Sequence, residues 1–272
     1  MRMMDLSFGT RLWSMPLKVD VMVFDSGVGG LSILDSIRTS WPDLSYCFVG
    51  DSAGLPYGEK TESWLVARVP LVIEKALQHI QCKILIVACN TASTIVLPAL
   101  RTKFNFPVIG VVPAIKPAAL MSQKKIIGLL ATPATVQRQY TDALIEEFAR
   151  DCEVIKIGSS RLVTIAEEKL RGVSPRREEL MDILKPFTKQ QPDVVVMGCT
   201  HFPLLREELS EILPDITWVD SGAAIAKRVE HFAIHPSASS RSGDGQSYFT
   251  ATDMTLEPLR RFGLRALHFI KI

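Results

Sequence analysis

Two of the five cysteines, Cys89 and Cys199, stand in matching local sequences. Each comes after a run of apolar residues and one small residue, and each is followed by a threonine within two positions. Such a run predicts a buried parallel strand, and open α/β sheets carry their ligand sites at the carboxyl ends of their strands. A helix that begins there lowers the pKa of a thiol from its usual value of about 8.5 and favours the thiolate. We therefore interpret both cysteines as functional, one in each of two similar lobes that face a shared cleft.

The other three cysteines are typical of a protein core. Cys47, Cys82 and Cys152 lie inside or beside predicted strands without polar neighbours, and cysteine is among the most buried residue types. The odd total and the lack of a C-x-x-C pair argue against a disulfide framework and against a zinc knuckle. We expect these three side chains to be buried and inert.

His201 comes two residues after Cys199 and admits two other interpretations. As a metal ligand it lacks the further ligands at suitable spacing that zinc requires, so we expect no metal. As a general base it would make Cys199 the nucleophile of a cysteine hydrolase. That mechanism leaves Cys89 without a role, but the sequence keeps it open.

A glycine-rich segment comes after the first predicted strand, at Gly27 to Gly30. Its glycines permit close approach of the backbone before a helix that starts near Leu31, so the segment predicts an anion cradle. No Gly-Lys-Ser/Thr stands after it and the spacing is not G-x-G-x-x-G, so a nucleotide is not indicated. Asp25 and Ser26, just before it, are predicted to cap that helix or to contact a substrate, and the two roles are compatible.

Three further polar positions have less distinctive surroundings. Asp51 stands in what reads as an ordinary loop between a strand and a helix. Thr135 lies at a predicted helix start, where it is equally suited to cap the helix or to bind a carboxylate. Glu167 lies on a helix predicted over 161–171, beside Glu168 and Lys169, and the sequence alone predicts that it is at the surface.

Short β-branched runs alternate with helical patterns along the chain, which predicts βαβ units and an α/β fold with parallel sheets. Helices are predicted over 61–79 and 178–188, where apolar residues recur at helical spacing. The segment 235–246 predicts a solvated, mobile loop, followed by a strand at 248–251 and a helix at 256–262. The earlier strands are predicted at 21–24, 46–49, 84–88, 108–111, 126–130, 154–157, 194–197 and 217–219.

The composition excludes several classes of protein. The chain has 272 residues, of which 47% are hydrophobic and 22% charged, as in a globular protein. Its 31 Lys+Arg and 29 Asp+Glu give a net charge of +2, so no nucleic-acid surface built on bulk positive charge is expected. No apolar run approaches the roughly 18 residues of a membrane span, and charges interrupt the first 20 residues. We expect a cytoplasmic protein without a membrane contact.

Six ordered motifs span nearly the whole chain, and together they make the sequence resemble the glutamate racemases, cofactor-independent enzymes of the aspartate/glutamate racemase superfamily. The motifs are FDSGVGGLS at Phe24–Ser32, GDSAGLPYG at Gly50–Gly58, ACNTAS at Ala88–Ser93, GLLATPATV at Gly128–Val136, GCTHFPLL at Gly198–Leu205 and DSG at Asp220–Gly222.

The resemblance implies two similar open parallel-sheet α/β lobes related by pseudo-symmetry, with the active site in the cleft between them. Residues 1–112 together with 222–272 would form the first lobe, and residues 113–221 the second. The implied reaction is the interconversion of L- and D-glutamate without a cofactor. Its product would supply D-glutamate for peptidoglycan synthesis in a bacterial cytoplasm.

The resemblance also assigns roles to the matching positions. Cys89 would be the acid/base thiol for the D-enantiomer and Cys199 the one for the L-enantiomer. Asp25, Glu167 and His201 would tune the two thiols, with Glu167 placed by a looser match. The implied substrate-binding residues are Asp25, Ser26, Tyr57, Gly58, Asn90, Thr91, Thr135, Thr200 and His201.

Two-base racemisation suits this pair of thiols, because one base removes the α-proton on one face while an acid delivers a proton on the other. Three alternatives stay open: a racemase for aspartate or a related amino acid, the hydrolase with Cys199 and His201, and a non-catalytic amino-acid-binding protein.

The family divides by oligomeric state and by activation through a cell-wall precursor, so the sequence leaves a homodimer and such an activator undecided. Residues 137–139 and 159–161 depart from the family pattern in the second lobe.

Overall fold

The computed structural model describes residues 16–232, 234, 236 and 245–272. The sequence predictions for the first 15 residues and for most of the 235–246 loop lie outside these ranges. Within them the structure alternates strands and helices, and the predicted α/β class is confirmed.

The strands are β1 (Leu17–Asp25), β2 (Tyr46–Gly50), β3 (Ile80–Val87), β4 (Val108–Gly110), β5 (Ile126–Ala131), β6 (Glu153–Gly158), β7 (Val194–Met197), β8 (Thr217–Val219), β9 (Gly245–Phe249) and β10 (Leu264–Phe269). The helices are α1 (Leu31–Ser40), α2 (Glu62–Leu77), α3 (Asn90–Lys103), α4 (Ile115–Met121), α5 (Pro133–Val136), α6 (Gln139–Phe148), α7 (Arg161–Leu170), α8 (Arg177–Gln190), α9 (Arg206–Ile212) and α10 (Gly222–Glu230). Short 3₁₀ turns lie at Ser52–Gly54, Tyr57–Glu59, Phe202–Leu205 and Glu257–Phe262.

The described strands form two parallel sheets. One has the strand order β10-β9-β2-β1-β3-β4 and the other β6-β5-β7-β8. We call the first sheet with its helices the first lobe, and the second sheet with its helices the second lobe. Apolar side chains cover both faces of each sheet. Because both faces are buried, the strands are continuous apolar runs rather than alternating ones.

The end of the chain differs from its prediction. The strand predicted at 248–251 is β9, which ends at Phe249 and begins earlier, at Gly245. The helix predicted at 256–262 is a 3₁₀ turn over Glu257–Phe262. Strand β10 was not predicted from the sequence: its register with β9 shifts between Leu264 and Ala266, and its exposed outer residues give it no continuous apolar run.

The chain passes from the first lobe to the second after β4 and returns before α10. The two crossings are adjacent, since the Ser221 hydroxyl donates to the Val112 carbonyl at 2.7 Å. This contact supports the lobe boundaries at 112 and 221, which stay a prediction. No helix in the described ranges is long and apolar enough to cross a membrane.

A substitution in α8 tests the core of the second lobe. Leu184 is fully buried in it, whereas Met181 on the same helix is 48% exposed. We expect Leu184→Ala to lower the free energy of unfolding by about 2–5 kcal/mol, because it removes buried methyl groups and leaves a cavity. Met181→Ala should change it by less than about 0.5 kcal/mol. Urea unfolding followed by far-ultraviolet circular dichroism measures both, and equal losses would contradict this assignment of the core.

Candidate active site

The fold brings Cys89 and Cys199 to one cavity. Cys89 comes after β3 and immediately precedes α3, and Cys199 comes after β7. The cavity is small and partly open, and the space between its atoms, about 280 Å³, includes solvent at its open side. Its lining consists of Ser26, Pro56, Tyr57, Gly58, Cys89, Asn90, Thr91, Thr132, Val163, Cys199, Thr200 and His201.

The two thiols differ in the backbone structure on their C-terminal side. The 14-residue helix α3 begins right after Cys89, as the sequence predicts. After Cys199 comes the 3₁₀ turn Phe202–Leu205, and α9 begins only at Arg206. The expectation of a helix directly after each cysteine is therefore wrong for Cys199, whose polar partner is a side chain instead.

That partner is His201, whose Nδ1 lies 3.8 Å from Cys199 Sγ. On its other side His201 Nε2 lies 2.9 Å from Glu167 Oε1. Burial opposes a charge on the imidazole, but the hydrogen bonds to Cys199 and Glu167 outweigh it and raise the pKa of His201 well above its ordinary value. We assign His201 as an imidazolium that donates to Cys199 and to Glu167.

Glu167 is 2% exposed, so the prediction of a surface position is wrong. It lies on the buried face of α7, and its Oε1 also accepts a hydrogen bond from the Val28 N–H at 2.8 Å. Although burial raises the pKa of Glu167, the bonds from His201 and Val28 lower it below its ordinary value overall. Its neighbours Glu168 and Lys169 are only partly buried. Three consecutive charged residues suggest an exposed helix face, and for this reason the burial of Glu167 was not predicted from the sequence.

The glycine-rich segment receives this carboxylate. The N–H at Val28 donates to Glu167 rather than facing an open cradle, so the protein's own side chain occupies the predicted anion position. A Cβ on Gly29 would overlap His201 and Thr200, which explains the need for glycine there. The segment thus holds the two lobes close together at the site.

Asp25 and Cys89 form the other half of the site. The N-cap of α1 is Gly30, so neither Asp25 nor Ser26 is the N-cap residue, but the Asp25 carboxylate accepts from the Gly27 N–H at 3.2 Å in the loop before the helix. Asp25 Oδ1 accepts from the Thr200 hydroxyl at 3.2 Å, across the cleft. Burial, followed by the nearby Asp25 charge, raises the pKa of Cys89 well above its ordinary value, although the Ala92 N–H and Ser26 hydroxyl partly oppose this. Cys89 therefore holds its proton at neutral pH.

Asp51 is fully buried and does not line the cavity, but it bonds to Tyr57, which does. Its carboxylate accepts from the Tyr57 hydroxyl at 2.7 Å, from Thr250 Oγ1 at 2.7 Å and from both Arg68 Nε and Nη2, at 3.0 and 2.8 Å. These bonds fix the Tyr57 ring at the cavity. The sequence shows that Asp51 lies in a loop, but it does not show the hydrogen-bond partners through which Asp51 holds Tyr57 in place.

Three threonine hydroxyls meet where the lobes touch. Thr91, Thr132 and Thr135 have Oγ1–Oγ1 distances of 3.0–3.3 Å. Thr132 caps α5 through the Thr135 N–H, so Thr135 is not the cap. Thr135 lies behind the cavity and Thr132 lines it, a position that sequence reasoning missed together with Pro56 and Val163.

Two observations bear on the ligands that this cavity can hold. Asn90 Oδ1 is buried and has no hydrogen-bond partner among the described residues. An unmatched amide oxygen at a cavity is suited to accept from a bound ammonium group. No group of three His, Cys, Asp or Glu side chains in the described ranges is arranged to hold a metal ion.

The remaining cysteines are only partly as expected. Cys47 and Cys82 are buried, and burial raises the pKa of Cys82 to about 12. Cys152 is half-buried, and its Sγ lies 3.7 Å from Asp151 Oδ1, so the expectation of a buried position without polar neighbours is wrong for it. It lies in the turn between α6 and β6 and packs partly against an apolar cluster of the second lobe.

Similarities to known proteins extend over most of the chain. The family model for Asp/Glu/hydantoin racemases matches residues 32–229. The glutamate racemase of Salmonella typhimurium is 48% identical over 260 residues, which cover 93% of this chain and 92% of that protein. The glutamate racemase of Pectobacterium atrosepticum is 53% identical over 218 residues, which cover 79% of this chain and 76% of that protein.

A solved structure extends the comparison. The crystal structure of Escherichia coli glutamate racemase in complex with L-glutamate and the activator UDP-MurNAc-Ala matches with a TM-score of 0.87 and 45% identity, over 94% of this chain and 98% of that one. The chain belongs to the Asp/Glu/hydantoin racemase family, and within that family to the glutamate racemases. The resemblance drawn from the six motifs is thereby confirmed.

The His201–Glu167 pair makes stability depend on pH in a defined direction. The lowered pKa of Glu167 contributes stability above the ordinary value of 4.5, which is lost as pH falls through the folded pKa. The raised pKa of His201 contributes stability that is complete below 6.5 and is lost as pH rises through the folded pKa. The pair therefore stabilises the fold most between about pH 4.5 and 6.5.

We expect Glu167→Gln to lower the free energy of unfolding by about 3 kcal/mol near pH 6, because it leaves a buried imidazolium without its counter-charge. The deficit should shrink below pH 4, where Glu167 in the native protein also takes up a proton. Urea unfolding across this pH range measures it. Glu168→Gln, on the same helix but at the surface, is the control, and a deficit that is constant with pH would contradict the ion pair.

Proposed function

We propose that this protein interconverts L- and D-glutamate without a cofactor, by moving the α-proton between Cys89 and Cys199. The observation that carries the proposal is the placement of two thiols at one small polar cavity, with Cys89 buried near Asp25 and Cys199 beside His201. A racemase needs such a pair, because a base on one face and an acid on the other reverse roles in the two directions.

In the L-to-D direction Cys199 is the base. Its thiolate is paired with the His201 imidazolium, which Glu167 in turn holds in place. Cys199 Sγ takes the α-proton of L-glutamate, and the electron pair of the broken C–H bond stays on the substrate. A neighbouring cationic histidine favours the thiolate form. A free thiol, by contrast, is only a few per cent thiolate at neutral pH.

Cys89 is the acid in this direction. Burial and the charge of Asp25 hold it as a thiol. Cys89 Sγ delivers its proton to the opposite face of the α-carbon and becomes a thiolate, while Cys199 keeps the proton that it removed. The D-to-L reaction runs through the same steps in reverse, so the two thiols exchange protonation states at every turnover.

The carbanion-like transition state needs donors around the α-carboxylate. The candidates are the Ser26 and Thr200 hydroxyls and the backbone N–H groups at the start of α3, beside Asn90 and Thr91. The unmatched Asn90 Oδ1 would accept from the α-ammonium group. The remaining predicted contacts are Tyr57, Gly58 and the threonine hydroxyls for the side-chain carboxylate, with Thr135 acting behind Thr132.

The comparisons support glutamate rather than aspartate as the substrate, because relatives at 48% and 53% identity are glutamate racemases. The E. coli structure contains L-glutamate and the activator UDP-MurNAc-Ala, which supports a cell-wall precursor as an activator of this chain too. We extend the proposal to a cytoplasmic role in supplying D-glutamate for peptidoglycan. A homodimer stays a prediction from the family resemblance, and sedimentation tests it.

One observation favours a second candidate. Cys199, His201 and Glu167 lie in a hydrogen-bonded row of the kind that activates a cysteine nucleophile for hydrolysis. A hydrolase does not need Cys89, which lies at the same cavity. The effect of replacing Cys89 therefore separates the two functions.

We expect Cys89→Ser and Cys199→Ser each to reduce racemisation by about 10²–10⁴-fold in both directions, since either change removes one acid/base group. Circular dichroism of L- and D-glutamate solutions measures the rates. Cys152→Ser makes the same chemical change outside the cavity and should keep full activity. Retention of hydrolytic turnover in Cys89→Ser, with no racemisation by the native protein, would favour the hydrolase.

Proton NMR in D₂O tests the mechanism directly. The native protein with L-glutamate and no added cofactor should lose the substrate α-proton signal while optical activity declines, because the proton delivered by Cys89 comes from solvent. L-Aspartate should react far more slowly. Binding of glutamate without exchange, with and without UDP-MurNAc-Ala, would contradict the racemase and favour a binding protein.

A further inference from the structure

Arg171 links the active site to the first lobe by a path that the mechanism above does not use. It lies just after α7, and its Nη2 is 3.7 Å from Glu167 Oε2. The same nitrogen is 2.9 Å from Asp253 Oδ2, in the segment between β9 and β10 of the first lobe. A row of charged and polar groups therefore runs from the surface at Asp253 to the sulfur of Cys199.

The two carboxylate oxygens of Glu167 have different partners, and this difference indicates what Arg171 does. Glu167 Oε1 is fully engaged, by His201 and by the Val28 N–H. Glu167 Oε2 is buried and has no hydrogen-bond partner among the described residues, so the Arg171 guanidinium is the cation that balances it. An exposed ion pair such as Arg171–Asp253 contributes little to stability on its own. Its effect lies in where it holds the guanidinium.

We propose that Arg171 is a positioning residue for the base: anchored by Asp253 of the first lobe, it holds the Glu167 carboxylate against His201 and thereby sets the pH at which Cys199 becomes a thiolate. This inference rests on the proposed function of Cys199. It adds to that function a control on the base from outside the cavity.

The direction of the effect is given by the charges near Cys199. These are the His201 imidazolium, Glu167 behind it, Asp25 of the first lobe and the Cys89 thiol across the cavity. Removing Arg171 takes away a positive charge. It also leaves the Glu167 carboxylate less firmly held against His201, so the charged form of His201 is less stabilised. Both changes disfavour the thiolate, and the pH at which Cys199 ionises rises.

Alkylation by iodoacetamide measures this property without relying on turnover, since the thiolate is the form that reacts. The rate at Cys199 is followed by peptide mass spectrometry from pH 5 to 9 in the native protein and in Arg171→Met and Arg171→Lys. The control is Arg161→Met on the same helix, whose ion pairs with Glu168 and Glu179 lie at the surface.

We expect Arg171→Met to move the midpoint for Cys199 upward by about half a pH unit or more, and Arg171→Lys to restore most of the native midpoint. Arg161→Met should leave the Cys199 midpoint unchanged, and Arg171→Met should leave the slow alkylation of Cys89 across this pH range as it is in the native protein. A loss of packing alone would change the alkylation rate at all pH values without moving the midpoint.

A second pair of variants tests whether Arg171 acts through Glu167. In the Glu167→Gln background the additional effect of Arg171→Met should largely disappear, because residues that act as a unit are not additive. An unchanged midpoint in Arg171→Met, an equal shift in Arg161→Met, or a full shift that persists in Glu167→Gln overturns the proposal. Racemisation by the native protein is measured on the same sample, so failure of the proposed function is recognised separately.

Discussion

The structure depends on a buried charge pair that neither lobe can complete alone. Glu167 and His201 belong to the second lobe, but the N–H that holds the Glu167 carboxylate comes from Val28 of the first. Charges buried this deeply are tolerated only when each is paired and hydrogen-bonded. The close approach of the lobes at Gly29 meets that requirement, and it forms the cavity at the same place.

The same constraint explains why two identical side chains behave differently. Cys199 has a cationic partner in His201, and Cys89 has burial and the negative charge of Asp25. Two thiols can serve as acid and base in a reversible proton exchange when their electrostatic surroundings differ in this way. The local similarity of the two cysteine segments in sequence is therefore accompanied by a difference in electrostatics.

Polar groups also hold the cavity from behind. Asp51 fixes Tyr57 through a network that includes Arg68 and Thr250, and neither of these last two lines the cavity. Around the cleft, ion pairs and hydroxyl contacts join residues far apart in the chain. Such contacts fix the lining side chains in place, and proton transfer depends on accurate placement of the reacting groups.

The sequence by itself determined the α/β class, the positions of most strands, and the two cysteines at strand ends, because buried parallel strands leave continuous apolar runs and end in polar residues. It did not show β10 or the burial of Glu167. Only the tertiary structure decided those, along with the partners of Asp51 and the use of the glycine segment by Glu167 rather than by substrate. Hydrophobic pattern is a local property of the chain, whereas the environment of a buried polar group is set by residues more than a hundred positions away, as Val28 is from Glu167.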